Sequence, residues 1–266
     1  MPEIPASARR SIALITGASS GIGYELAKLF AQDGCDLVLV ARDTEALNRI
    51  AEQLTASAAI AVTVIATDLA RPDAAAELIE ELTHRQIEVE ILVNNAGFGA
   101  FGFFAKTDLR LELDMMQVNM VALTQLTKRL LPGMVKRRRG RILNVASTAA
   151  FQPGPLMAVY YATKAYVLSF SEALANELRA SGVTVTALCP GLTRSRFQQR
   201  AGIERSRLIQ SGLMMEAGTV ARLGYQGLMR GKTVVIPGMR NRLLVLAIRL
   251  VPRNVVTWIV RRVQEC

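Results

Sequence analysis

The sequence has little of the residue types that bind metals or form disulfides. Its 266 residues include one histidine, His84, and three cysteines, Cys35, Cys189 and Cys266. A structural zinc site takes about four His or Cys ligands, and a disulfide framework needs regularly spaced cysteines. His84 adjoins Arg85 at the expected end of a helix, where a solvated side chain is the ordinary interpretation. We therefore expect no metal site, no disulfide framework and a cytoplasmic protein.

Acidic residues are missing from one long stretch near the C-terminus. No Asp or Glu lies between Glu216 and Glu265, whereas nine of the 32 Lys and Arg residues lie there, so this stretch carries most of the net charge of +10. A second basic run covers residues 136–139. Basic surfaces attract nucleic acid, anionic lipid or acidic proteins. Because neither segment interleaves aromatic residues or contains a recognition motif, we expect no specific nucleic-acid binding.

No hydrophobic run is long enough to span a membrane. The runs in the tail, residues 243–248 and 255–260, fall far short of the roughly 20 apolar residues of a spanning helix. The early run Ile12–Ile15 is likewise too short for a secretory signal. We expect residues 240–266 to form a basic, apolar helical extension. It packs on its own domain or on another subunit, or it rests through residues 240–263 on the anionic inner face of a membrane.

Apolar runs of strand length alternate along the chain with longer amphipathic stretches. This alternation is typical of βαβ units, in which helices cover both faces of a parallel sheet. We predict an α/β protein with a single-domain, doubly wound Rossmann fold and a seven-stranded, mainly parallel sheet over residues 1–239. Strands are expected at Ile12–Thr16, Asp36–Val40, Ala61–Ile65, Ile91–Asn94, Arg141–Val145, Thr184–Leu188 and Thr233–Ile236. Helices are expected at Gly21–Ala31, Asp43–Ser57, Pro72–His84, Leu109–Leu131, Met157–Ala180 and Thr219–Met229.

A glycine-rich turn follows the first predicted strand. Residues 16–23 read Thr-Gly-Ala-Ser-Ser-Gly-Ile-Gly and lead into an amphipathic helix. Glycine permits a tight turn and close approach of the backbone to a pyrophosphate, and the N-terminus of the helix presents amide N–H groups to that anion. We predict that this turn binds a dinucleotide. The residues concerned are Gly17, Ser19, Ser20, Gly21, Ile22 and Gly23.

The same turn also fits a competing motif. Residues 17–21 match the pattern G-x-S-x-G, in which Ser19 would be the nucleophile of a serine hydrolase. That chemistry requires a histidine base late in the chain, after the acid, whereas His84 lies early. A hydrolase also gives no role to the tyrosine and lysine discussed below. The hydrolase is therefore the less favoured alternative.

The end of the second predicted strand bears on the choice of dinucleotide. A fold that prefers NAD usually has a carboxylate there, which accepts hydrogen bonds from the ribose 2′-hydroxyl, whereas a 2′-phosphate requires a cation. Here the strand ends in Ala41, Arg42 and Asp43, and the Arg42 guanidinium offers planar, charge-assisted donors to a phosphate. The alternative is a solvated Arg42 beside an Asp43 that only caps the next helix. We predict NADP(H) as the cofactor.

A tyrosine and a lysine four residues apart lie on or near the start of one predicted helix. Tyr160 and Lys164 share a helix face, and Ser147 follows the preceding strand. A phenol with a pKa of about 10 transfers protons poorly at neutral pH, and a nearby ammonium group lowers that pKa. Ser147 would hold a substrate oxygen by a hydrogen bond. The adjacent Tyr161 is excluded because Ala165 stands four residues after it.

In order and spacing these residues resemble the short-chain dehydrogenase/reductase family over about residues 10–240. The matching motifs are residues 16–23, Asp68-Leu69, Asn94-Asn95-Ala96-Gly97, Asn119, Ser147, Tyr160-x-x-x-Lys164 and Pro190-Gly191-x-Thr193. The resemblance implies hydride transfer between a nicotinamide and a carbonyl or secondary alcohol. It also implies that Tyr160 is the acid or base, and that Asn119 helps a relay water reach Lys164.

The resemblance further implies where the cofactor and partner subunits bind. Asp68 would contact the adenine, Asn95 and Gly97 would shape the floor of the cofactor site, and residues 190–193 would face the nicotinamide. The cofactor-binding residues it adds are Asp68, Leu69, Asn95, Ala96, Gly97, Tyr160, Lys164, Pro190, Gly191 and Thr193. A homodimer or homotetramer would form through the two long helices predicted at Leu109–Leu131 and Met157–Ala180.

The segment at about residues 193–218 is the expected substrate lid. It mixes apolar and methionine residues with five arginines, as in a mobile cover over an apolar ligand. The alternative is a pair of surface helices packed on the body. We expect a small lipophilic substrate, such as a 3-oxoacyl thioester, a steroid-like compound or a bulky ketone. A catalytically weak NADP-binding or membrane-peripheral protein is a further alternative, which the presence of Ser147, Tyr160 and Lys164 disfavours.

Overall fold

In the computed structural model, which describes residues 10–195, 197–202 and 214–265, a parallel seven-stranded sheet forms the centre of the molecule. Its order is β3-β2-β1-β4-β5-β6-β9, and every neighbouring pair is parallel. The strands are β1 Ile12–Thr16, β2 Asp36–Ala41, β3 Val62–Ala66, β4 Ile91–Asn94, β5 Gly140–Val145, β6 Val183–Leu188 and β9 Val234–Val235. The predicted fold class is confirmed, and each strand end matches its predicted position or shifts by one residue.

Helices cover both faces of this sheet. The helices are α1 Gly21–Gln32, α2 Thr44–Ser57, α3 Ala74–His84, α4 Leu109–Met116, α5 Leu123–Lys136, α6 Ala158–Glu177, α7 Phe197–Ala201, α8 Ala217–Met229, α9 Met239–Leu250 and α10 Arg253–Gln264. Helices α1, α2 and α8 pack on one face, and α3, α5 and α6 pack on the other. Successive side chains of β1 point to opposite faces of the sheet. Ala13 and Ile15 therefore pack against the first group of helices, and Leu14 packs against the second.

The long helix predicted at Leu109–Leu131 forms and extends to Lys136, but it is not α-helical throughout. A π-helical turn at Gln117–Ala122 separates α4 from α5. Such turns insert one extra residue into a helix and occur frequently at functional sites. Here the turn contains Asn119, which is 1% exposed.

The strand order reverses beside β1. The chain runs outward from β1 to β3 and then returns to form β4 on the other side of β1. In open α/β sheets, ligands bind in the crevice at the carboxyl ends of strands where the order reverses. The glycine-rich turn leaves β1 at this point, and Asn95 leaves β4 beside it. The topology therefore places these two segments at one site.

The tail packs against its own domain. Helices α9 and α10 follow the sheet, and Val256 and Val260 of α10 are buried beside Tyr160 and Tyr161 of α6. Of the expected lid, residues 196 and 203–213 lie outside the described residues, and the flanking strands β7 (Thr193–Arg194) and β8 (Met215–Glu216) form a two-stranded sheet that the sequence did not predict. Among the helices that the structure describes, none is long and apolar enough to cross a membrane.

Candidate active site

A cavity of about 1400 Å³ opens where the strand order reverses. Nearly all of the predicted site residues line it, which brings together segments that are far apart in the sequence. They are Gly17, Ser19, Ser20, Gly21, Ile22, Arg42, Asp68, Leu69, Asn95, Ala96, Gly97, Ser147, Tyr160, Lys164, Pro190, Gly191 and Thr193. Two predicted residues, Gly23 and Asn119, are not among the lining residues, and each contacts residues that are.

Close backbone packing shapes the glycine-rich turn. Gly17 and Gly21 have φ angles of +64° and +60°, which L side chains rarely adopt. A Cβ added at Gly23 would lie 2.4 Å from the carbonyl oxygen of Gly17, so α1 begins in direct contact with the turn. Ser20 caps α1 without a side-chain hydrogen bond. The amide groups of the first helical turn are therefore left to bind an anion.

Thr16 and Asn95 join this turn to the end of β4. Asn95 Nδ2 donates to the carbonyl oxygens of Thr16 and Gly17, at 2.8 and 3.1 Å. The backbone N–H groups of Asn95 and Ala96 both donate to Thr16 Oγ1 at 3.0 Å. Asn95 thus shapes the cavity by fixing the backbone around it. The sequence analysis did not single out Thr16 for this role, although its place at the end of an apolar strand is a usable signal.

Arg42 lies on the rim of the cavity with its side chain exposed. Among the described residues it forms no ion pair with a carboxylate. The neighbouring Asp43 is engaged elsewhere, because its Oδ1 accepts the backbone N–H of Ala46 at 3.0 Å and caps α2. The guanidinium is therefore the charged group that this strand end offers to a ligand.

Tyr160 and Lys164 lie side by side on the first turns of α6. Both side chains are buried, with 9% and 5% exposure. Lys164 Nζ is 5.9 Å from the centre of the Tyr160 ring, and it donates to the carbonyl oxygen of Val145 at 2.8 Å. Helix α6 is thereby fixed to the end of β5. The phenol and the ammonium group face the same cavity.

Ser147 stands between the phenol and the loop after β6. Its hydroxyl accepts the backbone N–H of Ala149 at 3.1 Å, lies 3.4 Å from the carbonyl oxygen of Pro190, and hydrogen-bonds with Tyr160. The N-cap position of a short 3-10 turn, residues 148–151, holds it there. Ser147 and Tyr160 can therefore contact the same substrate oxygen.

The electrostatics of the pair differ from the sequence expectation. Burial raises the pKa of the Tyr160 phenol, and the hydrogen bond from Ser147 opposes that rise only in part. Burial also lowers the pKa of Lys164 to about 8. Burial thus outweighs the expected lowering of the phenol pKa by Lys164, whose ammonium group lies 5.9 Å from the ring centre and donates to the Val145 carbonyl oxygen. At neutral pH the phenol is consequently protonated and can donate a proton.

Asn119 and Gly97 pack together around the Lys164 ammonium group. Asn119 Nδ2 donates to Phe98 O and Thr163 Oγ1, each at 3.0 Å, and its Oδ1 accepts the Phe98 N–H at 3.1 Å. A Cβ at Gly97 would lie 2.9 Å from Asn119 Oδ1 and 3.3 Å from Lys164 Nζ. Asn119 therefore joins the loop after β4 to α6, and Gly97 leaves the space that both side chains require.

An apolar wall of the cavity packs around Tyr160. The Phe197 ring centre lies 5.3 Å from that of Tyr160, so the described part of the lid touches the phenol. The expected lid at about residues 193–218 includes Phe197, but the sequence did not predict most of this wall, because its members come from distant segments of the chain. The apolar and aromatic residues concerned are Phe98, Phe101, Leu111, Met157, Tyr161 and Leu244, and two glutamines, Gln152 and Gln264, also line the cavity.

The family model described as short chain dehydrogenase matches residues 11–206. This chain belongs to the short-chain dehydrogenase family. The chain is 36% identical to a short-chain dehydrogenase from Sphingobium yanoikuyae in complex with NADPH, with a TM-score of 0.81 and coverage of 89% of this chain and 92% of that one. It is 32% identical to the bulky-bulky ketone specific alcohol dehydrogenase from Comamonas testosteroni, with a TM-score of 0.77 and coverage of 90% and 92%.

The chain is also similar to an animal protein. Mouse 17-beta-hydroxysteroid dehydrogenase type 3 is 35% identical over 193 residues, which are 70% of this chain and 62% of that protein. The match thus spans less than two thirds of the mouse protein's length, and other curated relatives are covered to between 59% and 80%. As a short-chain dehydrogenase, the protein is an oxidoreductase that uses a nicotinamide cofactor on ketones or alcohols.

Proposed function

We propose that the protein is an NADP(H)-dependent carbonyl reductase, reversible as an alcohol dehydrogenase, for lipophilic substrates. The observation that carries the proposal is the buried, protonated phenol of Tyr160, which shares one cavity with Ser147, a glycine-rich anion site and an apolar wall. The Sphingobium relative was solved with NADPH, and the Comamonas relative is specific for bulky ketones. Both similarities support this reading of the cavity.

The residues of the cavity fit a dinucleotide with a 2′-phosphate. The N-terminus of α1, where Ser20 makes no side-chain hydrogen bond to the helix, suits the pyrophosphate, and Gly17 and Gly23 leave no room for side chains where the backbone must stay close. Arg42 would pair with the 2′-phosphate, while Asp43 is occupied in capping α2. Asp68 and Leu69 line the same cavity and are proposed to contact the adenine.

The proposed chemistry assigns proton transfer to Tyr160. When bound, NADPH supplies the hydride that reduces the carbonyl carbon. Tyr160 donates its hydroxyl proton to the carbonyl oxygen, which becomes the alcohol, while Ser147 holds that oxygen by a hydrogen bond. Lys164 offsets the charge left on the phenolate. The phenolate then regains a proton from a water molecule that Asn119 helps to bring to Lys164. Alcohol oxidation runs through the same groups in reverse.

The apolar wall indicates the substrate class. Phe98, Phe101, Met157 and Phe197 face the cavity beside Tyr160 and suit a bulky or steroid-like ketone or a 3-oxoacyl chain. NADPH absorbance across ketones and acyl thioesters of graded size tests this class. Turnover should rise with apolar bulk, and equal turnover of small and large ketones would contradict the lipophilic assignment.

Two alternative functions, a serine hydrolase and a binding protein without catalysis, fit the residues of this cavity less well. Ser19 lines it, but His84 at the end of α3 does not, so the serine hydrolase lacks its base. A binding protein without catalysis would not need the hydrogen bond between Ser147 and Tyr160. Absence of NADPH turnover with every ketone, despite tight NADPH binding, would favour the binding protein.

We also propose a homo-oligomer in the cytoplasm. Exposed apolar side chains lie on the π-helical turn, α5 and α6, including Val121, Val135 and Tyr166. These are the helices that the family resemblance assigns to subunit contacts. Sedimentation of the purified protein should give a dimer or tetramer, and a monomer at micromolar concentration would contradict this assignment.

A further inference from the structure

A polar cluster interrupts the apolar wall of the cavity. Gln264, on the last turn of α10, is 3% exposed and donates from Nε2 to the Tyr161 hydroxyl at 2.5 Å. Gln152 hydrogen-bonds with the same hydroxyl. All three side chains line the cavity, and the Tyr161 ring centre lies 6.0 Å from that of Tyr160. The cluster is therefore close to the reacting phenol but separate from it.

Of the two polar atoms in the Gln264 side-chain amide, only Nε2 has a hydrogen-bond partner among the described residues. The other atom, Oε1, is buried. Exchanging the amide oxygen and nitrogen would let the carbonyl accept from Tyr161 but would leave the nitrogen unpaired instead. Buried polar groups without partners are costly, so they call for a ligand or another partner. Gln264 points inward because it lies on the buried face of α10. Val256, Val260 and Gln264 are four residues apart and form that face.

We propose that the substrate carries a second polar group, a hydroxyl or amide N–H, that hydrogen-bonds Gln264 in this cluster while Tyr160 acts on the carbonyl. The substrate class is thus a bulky ketone with a distal hydrogen-bond donor, and an unsubstituted alkyl ketone is a poorer substrate. A site built to bond such a group discriminates strongly against analogues that lack it, because the site's own polar atom is then left unpaired. This inference rests on the proposed carbonyl reductase function.

The test compares matched ketones within each protein. Unsubstituted 2-tetralone and its ring-hydroxylated analogues are assayed with NADPH against the natural chain, Gln264→Leu and Tyr161→Phe. We expect at least one hydroxylated analogue to exceed 2-tetralone by about tenfold or more in kcat/KM, a preference that Gln264→Leu abolishes and Tyr161→Phe reduces. Gln226→Leu, at an exposed glutamine of α8, is the matched control and should keep the preference.

The ratio of two substrates within one variant does not depend on how much of that variant is folded. If the natural chain reduced all of these ketones at equal rates, the proposed role of the polar cluster would be wrong, but the proposed reductase function would not be affected. A preference that survives Gln264→Leu would also overturn it. Failure to reduce any ketone would instead count against the proposed function itself.

A second, independent observation concerns the outer face of the tail. Leu243, Leu246 and Leu250 form one stripe along α9 and are 59%, 57% and 80% exposed. Trp258 on α10 is 59% exposed, and other apolar residues beside it are exposed as well. Monomeric proteins rarely expose so continuous an apolar surface without a partner.

The charges around this stripe decide between its partners. Exposed arginines accompany the apolar residues, and the Arg262 guanidinium lies 5.0 Å from the centre of the Trp258 ring. No acidic residue occurs in residues 217–264, so two copies placed face to face would bring arginines together without neutralising them. We infer that the outer face of α9 and α10 binds an anionic lipid surface, with apolar side chains at the acyl boundary and arginines at the headgroups.

Cosedimentation with lipid vesicles tests this surface. Binding is expected to vesicles of phosphatidylcholine with about a third phosphatidylglycerol, to weaken with salt, and to be much weaker with phosphatidylcholine alone. Leu246→Glu combined with Leu250→Glu should abolish it, whereas Met229→Glu, at an exposed position on α8, should not. Equal binding to neutral vesicles, or no binding, would overturn the inference. A dimer that the double variant converts to monomer would show that a second copy covers the face instead.

Discussion

Lys164 donates its buried hydrogen bond to the carbonyl oxygen of Val145, at 2.8 Å, and its Nζ lies 5.9 Å from the Tyr160 ring centre. The bond ties α6 to the end of β5 and holds the ammonium group beside Gly97 and Asn119. Burial, more than this cation, sets the pKa of the phenol. The free enzyme thus holds a protonated Tyr160, which suits carbonyl reduction.

Replacing the proton donor should remove turnover without removing cofactor binding. Tyr160→Phe deletes only a hydroxyl, so kcat for ketone reduction should fall by about 10² to 10⁴, the usual range for general acid catalysis. The NADPH dissociation constant, measured by fluorescence, should change little. Tyr24→Phe, at a partly exposed tyrosine of α1, is the matched control. Normal turnover by Tyr160→Phe would exclude Tyr160 as the proton donor.

The pKa of Lys164, lowered to about 8, predicts a pH dependence of reduction. Below that pH the ammonium group is charged in the free enzyme; above it the charge is lost, while Tyr160 keeps its proton because its pKa is raised. The kcat/KM for reduction should therefore be level below pH 8 and fall towards tenfold per unit above it. Lys164→Arg keeps its charge throughout, so its slower reaction should show no fall near pH 8. Identical pH profiles for the natural chain and Lys164→Arg would show that Lys164 is not the group that causes the fall.

Arg42 should control the choice between the two nicotinamide cofactors. Arg42→Asp removes the proposed partner of the 2′-phosphate and adds repulsion, so NADPH should bind roughly tenfold to a hundredfold more weakly. NADH carries no such phosphate and should lose little affinity. Calorimetric titration of both cofactors measures the difference, with Arg179→Asp as a control for net charge. Equal weakening of NADPH and NADH would refute the assignment.

Gly23 should be intolerant of even one methyl group. Its added Cβ would lie 2.4 Å from the Gly17 carbonyl oxygen and 2.5 Å from Asn95 Nδ2, so backbone would have to move. Gly23→Ala should lower the free energy of unfolding by about 1–3 kcal/mol and weaken NADPH binding. In Gly218→Ala the new methyl meets only the flexible end of Glu25, and stability should be kept. Chemical denaturation compares the two, and equal stabilities would contradict the packing argument.

Local patterns were enough to predict several parts of the protein. Apolar runs and glycine positions predicted the seven strands, the turn at residues 16–23 and the helix after it, because strand period and turn geometry depend on neighbouring residues. The four-residue spacing likewise placed Tyr160 and Lys164 together on α6. The predicted cofactor residues meet at one cavity because the carboxyl ends of parallel strands share an edge.

Other features were decided only by tertiary packing. The π-helical turn at Asn119 breaks a helix that has no proline or glycine at that point, and the pKa of Tyr160 rises because surrounding residues bury it. Tyr161 has no lysine four residues later, and its hydroxyl instead accepts a hydrogen bond from Gln264, 103 residues away along the chain. The strands, the glycine-rich turn and the tyrosine-lysine pair follow from local patterns in the sequence. Only the folded chain decided burial, proton affinity and the polar cluster, since these depend on residues that are close in space but distant along the chain.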